Sequence, residues 1–290
     1  RNDLMAKKEL KRVSKNRFGL IQACCIAAVY AVVILGVISL VNKGAPTEES
    51  PPISRQWMEY AMSINRLETR TPPTLTARFY SYVATVYDDI LMRTHSHDQA
   101  SLATQRIIDE IFPVHADTTA TFIRSLHLTE TVISADAEAV LRQYKDRLKI
   151  DGAGLKWDGI YPKGESIWYR TNYPPTTPRA GEWKLWIVST VNNFNVPPPP
   201  EYGNDDYTRA VQIVVDATKS RTVKDEQDIR YWNGAAGTEG PSGIWQNRLY
   251  EEVRQTVFDD EEYSHMQKIL AQSIADSFIA AWRVKYTYWT

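Results

Sequence analysis

The stretch "TLTARFYSYVATVYDDILM", Thr74 to Met92, decides the fold. Leu75, Phe79, Tyr82, Val83, Val86 and Ile90 recur there at helical spacing, so they line one face of an amphipathic helix of about five turns. Upstream, "TPP" at Thr71 to Pro73 breaks the chain, because proline lacks the N–H that a continuing helix needs. Before that break, "RQWMEYAMSINRLE" spaces Trp57, Tyr60, Met62, Ile64 and Leu67 as a second helix. Downstream, helical patterns fit residues 98–112, 134–149, 205–219, 222–233, 243–258 and 260–290. Asn204 before Asp205 and Asp206, and Thr222 before Asp225, are cap and dipole signals at two of those starts. The expected fold is therefore all-α, a helical bundle.

One segment breaks the pattern. From Asp151 to Tyr202, "YPPTTPRAGEWKLW" and "VPPPPEYG" mix prolines with tryptophans and tyrosines, and neither a period of 2 nor one of 3.6 survives. A long irregular segment so dense in aromatics reads as an ordered wrap across helices. The competing reading is a linker recognised in polyproline conformation through Pro197 to Pro200.

The amino end differs again. "GLIQACCIAAVYAVVILGVISLV", Gly19 to Val41, carries no charge, and about 23 residues at ~1.5 Å each suffice to cross ~30 Å of hydrocarbon. Lys7, Lys8, Lys11, Arg12, Lys15 and Arg17 precede it, which puts the N-terminus in the cytoplasm and the rest outside, in the periplasm or at the cell exterior. The expected order is a basic cytoplasmic end at 1–18, a membrane anchor at 19–41, a polar linker at 42–54 and a folded domain at 55–290. A cleaved signal peptide competes, but the apolar run exceeds the usual h-region and no A-x-A site closes it. Cys24 and Cys25 both sit within the apolar run, so the exported domain must fold on its core without disulfides.

Charge and motifs narrow the function. The 34 basic and 35 acidic residues nearly cancel, so the balance does not point to nucleic acid. Nine tryptophans and sixteen tyrosines argue against general disorder, and such an aromatic surface leaves a homodimer open. No phosphate-loop, dinucleotide, zincin or nucleophile-elbow motif is present. His95 and His97 form an H-x-H in a polar turn, where solvated loop residues are the better reading than metal ligands. His115, His127 and His265 stand alone. Asp88 and Asp89 are adjacent on a helix, so about 100° separates them and only one can face a site. Asp88 is then a candidate to cap or to pair with a basic neighbour.

Four ordered landmarks carry a family resemblance: "PPTLTARFYSYVATVYDDI", "TPRAGEWKLWIV", "TKSRTVKDEQDIRYWNGAAGTEGPSGIWQNRL" and "ADSFIAAWRVKYTYWT". Residues 55–290 resemble the bacterial vanadium-dependent haloperoxidases, whose superfamily includes the type 2 phosphatidic acid phosphatases. The resemblance implies a helical bundle with a vanadate or phosphate site built from K-x6-R-P, a Pro-Ser-Gly-His stretch and a serine–arginine motif ending in histidine. Lys285 matches the first lysine, as a ligand to an oxyanion oxygen, and the arginine would fall at position 292. Trp282 matches an aromatic position lining the anion pocket, and Asp276 matches an aspartate read as structural. "GPSGIW" at Gly240 to Trp245 only superficially matches the histidine motif, since Ile244 replaces the histidine. The resemblance implies vanadate as cofactor if the enzyme is a haloperoxidase, with none bound by this part alone, and a chain that holds the N-terminal part of its domain, inactive by itself; the residues themselves give no metal site. Arg1 at the start and the lack of a helix stop at the end also read as an incomplete chain.

Lys285 can be read from the residues themselves. Phe278, Trp282, Lys285 and Trp289 fall at i, i+4, i+7 and i+11, which puts the lysine in a core-facing stripe. There it would need a counter-charge such as a bound oxyanion. The alternative is a lysine that lays its stem on Trp282 or Trp289 and carries its ammonium to water. The functional alternatives are an anchored vanadate- or phosphate-dependent enzyme and a non-catalytic helical scaffold using its aromatic wrap to hold a partner.

Overall fold

A computed structural model describes residues 50–164, 167–168, 175–190, 196–254 and 258–289. The expected membrane anchor at 19–41 lies outside the described residues, and among them no helix is long and apolar enough to cross a membrane. The body considered is the compact unit of Ser50–Glu251 with Asp259–Thr290. The described residues are helical, without strands.

The helices are α1 (Ile53–Leu67), α2 (Pro73–Thr94), α3 (His97–Ile111), α4 (Ala116–Ser125), α5 (Ala135–Ile150), α6 (Asp205–Lys219), α7 (Val223–Asn233), α8 (Gly240–Val253) and α9 (Asp260–Tyr288), with short 3₁₀ turns at Pro113–His115 and Ala180–Glu182. Proline opens α2 at its first turn, where its missing N–H has no intrahelical partner to lose. The expected caps form: Asn204 accepts from the Tyr207 N–H, and Thr222 with Asp225 makes a capping box. The pattern reading missed α4, whose "ADTTATFIRS" is rich in threonine and buries only Thr119 and Ile123.

Helix α2 is the axis of the bundle, packed by α1, α3, α5 and α9. It is therefore buried on nearly every side, not on one face as its spacing suggested. Beyond the apolar stripe, Thr76, Tyr80, Ser81, Ala84, Thr85, Tyr87 and Asp88 are also buried. The polar ones are tolerated because they find partners. Ser81 Oγ donates to the Ala77 and Ala271 carbonyls, both at 2.8 Å, and the Tyr80 hydroxyl donates to the Glu239 carbonyl at 2.8 Å. Trp57, Met58, Phe79, Val83, Val86 and Ile107 fill the core between α1, α2 and α3, each such side chain contributing about 1.5–3 kcal/mol by burial. Trp57 is fully buried, and its Nε1–H meets Ser101 Oγ at 3.0 Å.

Helices α6 and α7 bury no residue, and α7 meets α8 through Trp232, whose ring centre lies 5.3 Å from that of Trp245. Ile213 and Val214 of α6 are 63% and 65% exposed.

Candidate functional site

The site is built on the last turns of α9 and on the irregular segment that follows α5. A capping box from Asp259 and Glu262 opens α9. Tyr263, Gln267, Ala271, Ala275 and Ile279 then recur every four residues as its buried face. Beyond Ile279 the helix leaves the core, and the irregular segment takes over as its partner.

Described parts of that segment wrap the bundle as the composition suggested. The Lys184 N–H donates to the Asp151 carbonyl at 2.8 Å. Asp276, 6% exposed, accepts the N–H groups of Trp186, Ile187 and Val188 at 2.7, 2.8 and 3.1 Å. Its role is structural, since the carboxylate holds three otherwise orphaned donors of an irregular strand of chain. Gly181 lies so close to α9 that an added Cβ would sit 2.5 Å from the Arg283 Cα. Further along, the Thr176 carbonyl accepts from Trp282 Nε1 at 3.1 Å and from the Tyr286 hydroxyl at 2.9 Å. The Trp168 N–H donates to the Trp289 carbonyl at 2.5 Å. Four contacts thus tie the segment to α9 between Asp276 and Trp289.

The end of α9 is a stack of rings. Trp289 takes the left-handed conformation at φ 56° and caps the helix, its N–H bonded to the Lys285 carbonyl at 2.9 Å. Trp157, Tyr161, Trp168 and Tyr286 surround the Trp289 ring at centroid distances of 4.9–6.4 Å. That contact offsets the ~1–2 kcal/mol cost of the backbone conformation.

Lys285 is exposed, which corrects the core-facing stripe. The stripe faces the irregular segment, and only its first turns approach the bundle. The Lys285 ammonium lies 4.9 Å from the Trp282 ring centre, 5.4 Å from Trp168 and 5.6 Å from Tyr286. Rings within ~6 Å attract a cation through their negative faces without neutralising it. Among the described residues no carboxylate is ion-paired with Lys285. A polar groove of ≈350 Å³ lies beside this region, lined by Asn65, Arg70, Thr76, Thr176 and Gly234 among others.

Two buried ionic clusters compete as sites. In the first, Asp151 accepts from Arg78 Nε at 2.5 Å and from the Tyr82 hydroxyl at 2.9 Å, while Arg147 stacks 4.0 Å over the Trp186 ring. Burial, with the Asp151 carboxylate beside it, pushes the Tyr82 hydroxyl well above the ordinary tyrosine range. The cavity between these groups holds only ≈10 Å³ of water-accessible volume, room for about one water and too little for a tetrahedral oxyanion. In the second, Lys268 Nζ meets Asp88 Oδ2 at 2.8 Å and Asp89 Oδ1 at 2.6 Å. Burial works to lower the Lys268 pKa, but its bonds to Asp88 and Asp89 outweigh that and raise it. The geometry corrects the expectation that only one of these aspartates can face a site, because a single flexible lysine reaches between them. Asp88 pairs with a basic residue, as one reading had it. His265 is not alone either: its Nδ1 lies 3.3 Å from Asp88 Oδ2, and His115 Nε2 lies 2.9 Å from Glu68 Oε1.

His95 caps α2 at φ 52°, and His97 opens α3 with its Nδ1 2.8 Å from the Tyr87 hydroxyl. Among the described residues no group of His, Cys, Asp and Glu is placed to hold a metal ion. Ser242 and Ile244 of "GPSGIW" are buried in the first turns of α8. Sequence reasoning singled out Lys285 and Trp282, which the structure brings together, and did not single out Trp168, Thr176 or Lys268. Trp168 and Thr176 lie more than 100 residues from their partners on α9, and only the density of aromatics around them was a signal. Comparison with family models, curated proteins and solved structures gives no match.

Proposed function

We propose that this chain carries the helical part of an oxyanion-dependent enzyme of the vanadium-dependent haloperoxidase and type 2 phosphatidic acid phosphatase class, with Lys285 as a ligand to vanadate or phosphate. One observation supports the reading above the rest. The Lys285 ammonium is held by three aromatic faces, keeps its charge uncompensated by a carboxylate among the described residues, and lies at the surface. A lysine so placed has N–H donors free for an equatorial oxygen, and the rings restrict where that charge can move. Trp282 adds an apolar wall fixed by its bond to the Thr176 carbonyl.

The residues fit an oxyanion as far as this chain supplies them. Lys285 would bind and orient the anion, and Trp282 would limit water on its side. Vanadate, held by Lys285, would supply an oxyanion that resembles phosphate in phosphoryl transfer, so one scaffold would serve both chemistries. Arginine, serine and histidine ligands of the family's later motifs are not assigned to residues of this sequence. The apolar Gly19–Val41 and the basic residues before it support placing the domain outside a membrane.

Thermal unfolding of the full-length protein with and without orthovanadate tests the reading. Saturating anion at about 100 times its dissociation constant stabilises the native state by ~2.7 kcal/mol, and Lys285→Ala removes that gain without altering helical content. No shift with excess vanadate or phosphate overturns it.

A second reading, a non-catalytic helical scaffold, is favoured by the exposure of α6 and α7, including Ile213, Val214 and Trp232. A homodimer or a partner covering those helices, together with no response to either anion, would support it.

A further inference from the structure

We infer that Trp168 is a positioning residue for Lys285, so that the irregular segment after α5 completes the oxyanion site by supplying its third ring. The inference rests on the oxyanion reading of Lys285. Trp282 and Tyr286 belong to the same helix as Lys285, and the i−3 spacing of Trp282 makes it a neighbour in any helix with that sequence. Trp168 is different. It is 117 residues away in sequence, its N–H is bonded to the Trp289 carbonyl at 2.5 Å, and its ring centre lies 5.4 Å from the Lys285 ammonium.

Two rings from one helix leave a four-carbon side chain free to swing; a third ring from another segment closes off one of its directions. A lysine stem carries large rotamer entropy that binding an anion must otherwise remove. Trp168 removes part of it beforehand and leaves the charge intact, since an aromatic face attracts a cation without accepting its proton. Other residues of the same stretch are also seated on α9: Trp186–Val188 on Asp276, Gly181 on Arg283, and Thr176 between Trp282 and Tyr286. Affinity for the anion is thereby linked to the seating of that segment on α9.

The test uses the full-length protein and two readouts. One is the orthovanadate dissociation constant, from protection against thermal unfolding. The other is the rate at which acetic anhydride modifies Lys285 without anion, followed by peptide mass spectrometry. Trp168→Leu is expected to weaken vanadate binding about tenfold and to raise Lys285 reactivity several-fold, on the scale of one cation–π contact. Trp168→Phe, which keeps a ring, should restore most of both. Trp157→Leu is the control, because Trp157 packs 6.4 Å from the Trp289 ring and makes no ring contact with the Lys285 ammonium. Equal losses in Trp157→Leu and Trp168→Leu would overturn the inference in favour of general loosening. Unchanged affinity and reactivity in Trp168→Leu, with binding lost in Lys285→Ala, would overturn it while leaving the oxyanion reading intact. Unchanged vanadate binding in Lys285→Ala would overturn the oxyanion reading and, with it, this inference.

Discussion

At the scale of single residues, the bundle depends on a few polar groups that apolar packing cannot replace. Asp88 is fully buried, and Lys268 is ion-paired with it and with Asp89. Removing one partner of a buried pair leaves an unpaired charge, and such truncations cost about 3–5 kcal/mol. Lys268→Ala should therefore lower stability by about that amount in urea unfolding, and adding Asp88→Asn should recover part of it by removing the charge left behind. A loss in Lys268→Ala below about 1 kcal/mol, the range of an exposed pair, would contradict this. Asp276 makes a parallel case with backbone in place of a cation. Asp276→Ala strands the three N–H groups of Trp186–Val188 and should cost roughly 2–4 kcal/mol, with a changed near-ultraviolet tryptophan signal. The resemblance had Asp276 read as structural without showing its partners, whereas Lys268 gave no sign of its role because its partners are about 180 residues upstream.

At the scale of elements, what was legible followed from local periodicity and caps, and what was not followed from packing. The helix starts at Asp205 and Val223 were readable from Asn204 and Thr222, since capping is a contact within four residues. The depth of α2 was not, since its second and third faces use Thr76, Tyr80, Ser81 and Asp88, which read as polar until their partners are known. The core-facing stripe put Lys285 on the wrong side, because the helical period cannot tell a core from an irregular segment that packs in its place, whereas the alternative, a lysine lying on Trp282 with its ammonium towards water, is the arrangement found. The seating of that segment makes its own prediction. At Gly181 a methyl group would meet the backbone of Arg283 at 2.5–2.6 Å, not the end of a flexible side chain. Gly181→Ala should lift the segment from α9, so limited proteolysis should cut within residues 151–190 far sooner than in the parent protein. The core helices α1 to α3 should stay protected. Unchanged cleavage of that segment would mean that its hold on α9 does not pass through Gly181.

At the scale of the whole molecule, burial of tyrosine hydroxyls sets a limit at high pH. Burial raises Tyr80, Tyr82, Tyr87 and Tyr144 above the ordinary tyrosine value. Burial, with Arg55 opposing it, pushes Tyr263 up to about 12, and burial with Tyr161 nearby pushes Tyr286 to about 12. These rings come from α2, α5 and α9, so their response belongs to the bundle and not to one helix. The sign follows from linkage. Below about pH 10 each hydroxyl is neutral both folded and unfolded, and the native state keeps its full stability. Above that, the unfolded chain sheds phenolic protons first and is favoured, so stability falls as pH rises through about 10 towards 12. Tyr263 alone accounts for roughly 2–3 kcal/mol of that loss, from a rise of about two units at a well-buried site. The urea midpoint should be level up to about pH 9.5 and then decline steeply. Absorbance at 295 nm should show the buried tyrosines ionising together with unfolding, because a group whose charged form the fold excludes titrates mainly once the fold opens. In Tyr263→Phe the alkaline decline should be shallower by the contribution of that ring, whatever the substitution does at neutral pH. A midpoint that stays level to pH 12 would show that the α2, α5 and α9 hydroxyls are already in water, and that the close packing around α2 does not hold in solution.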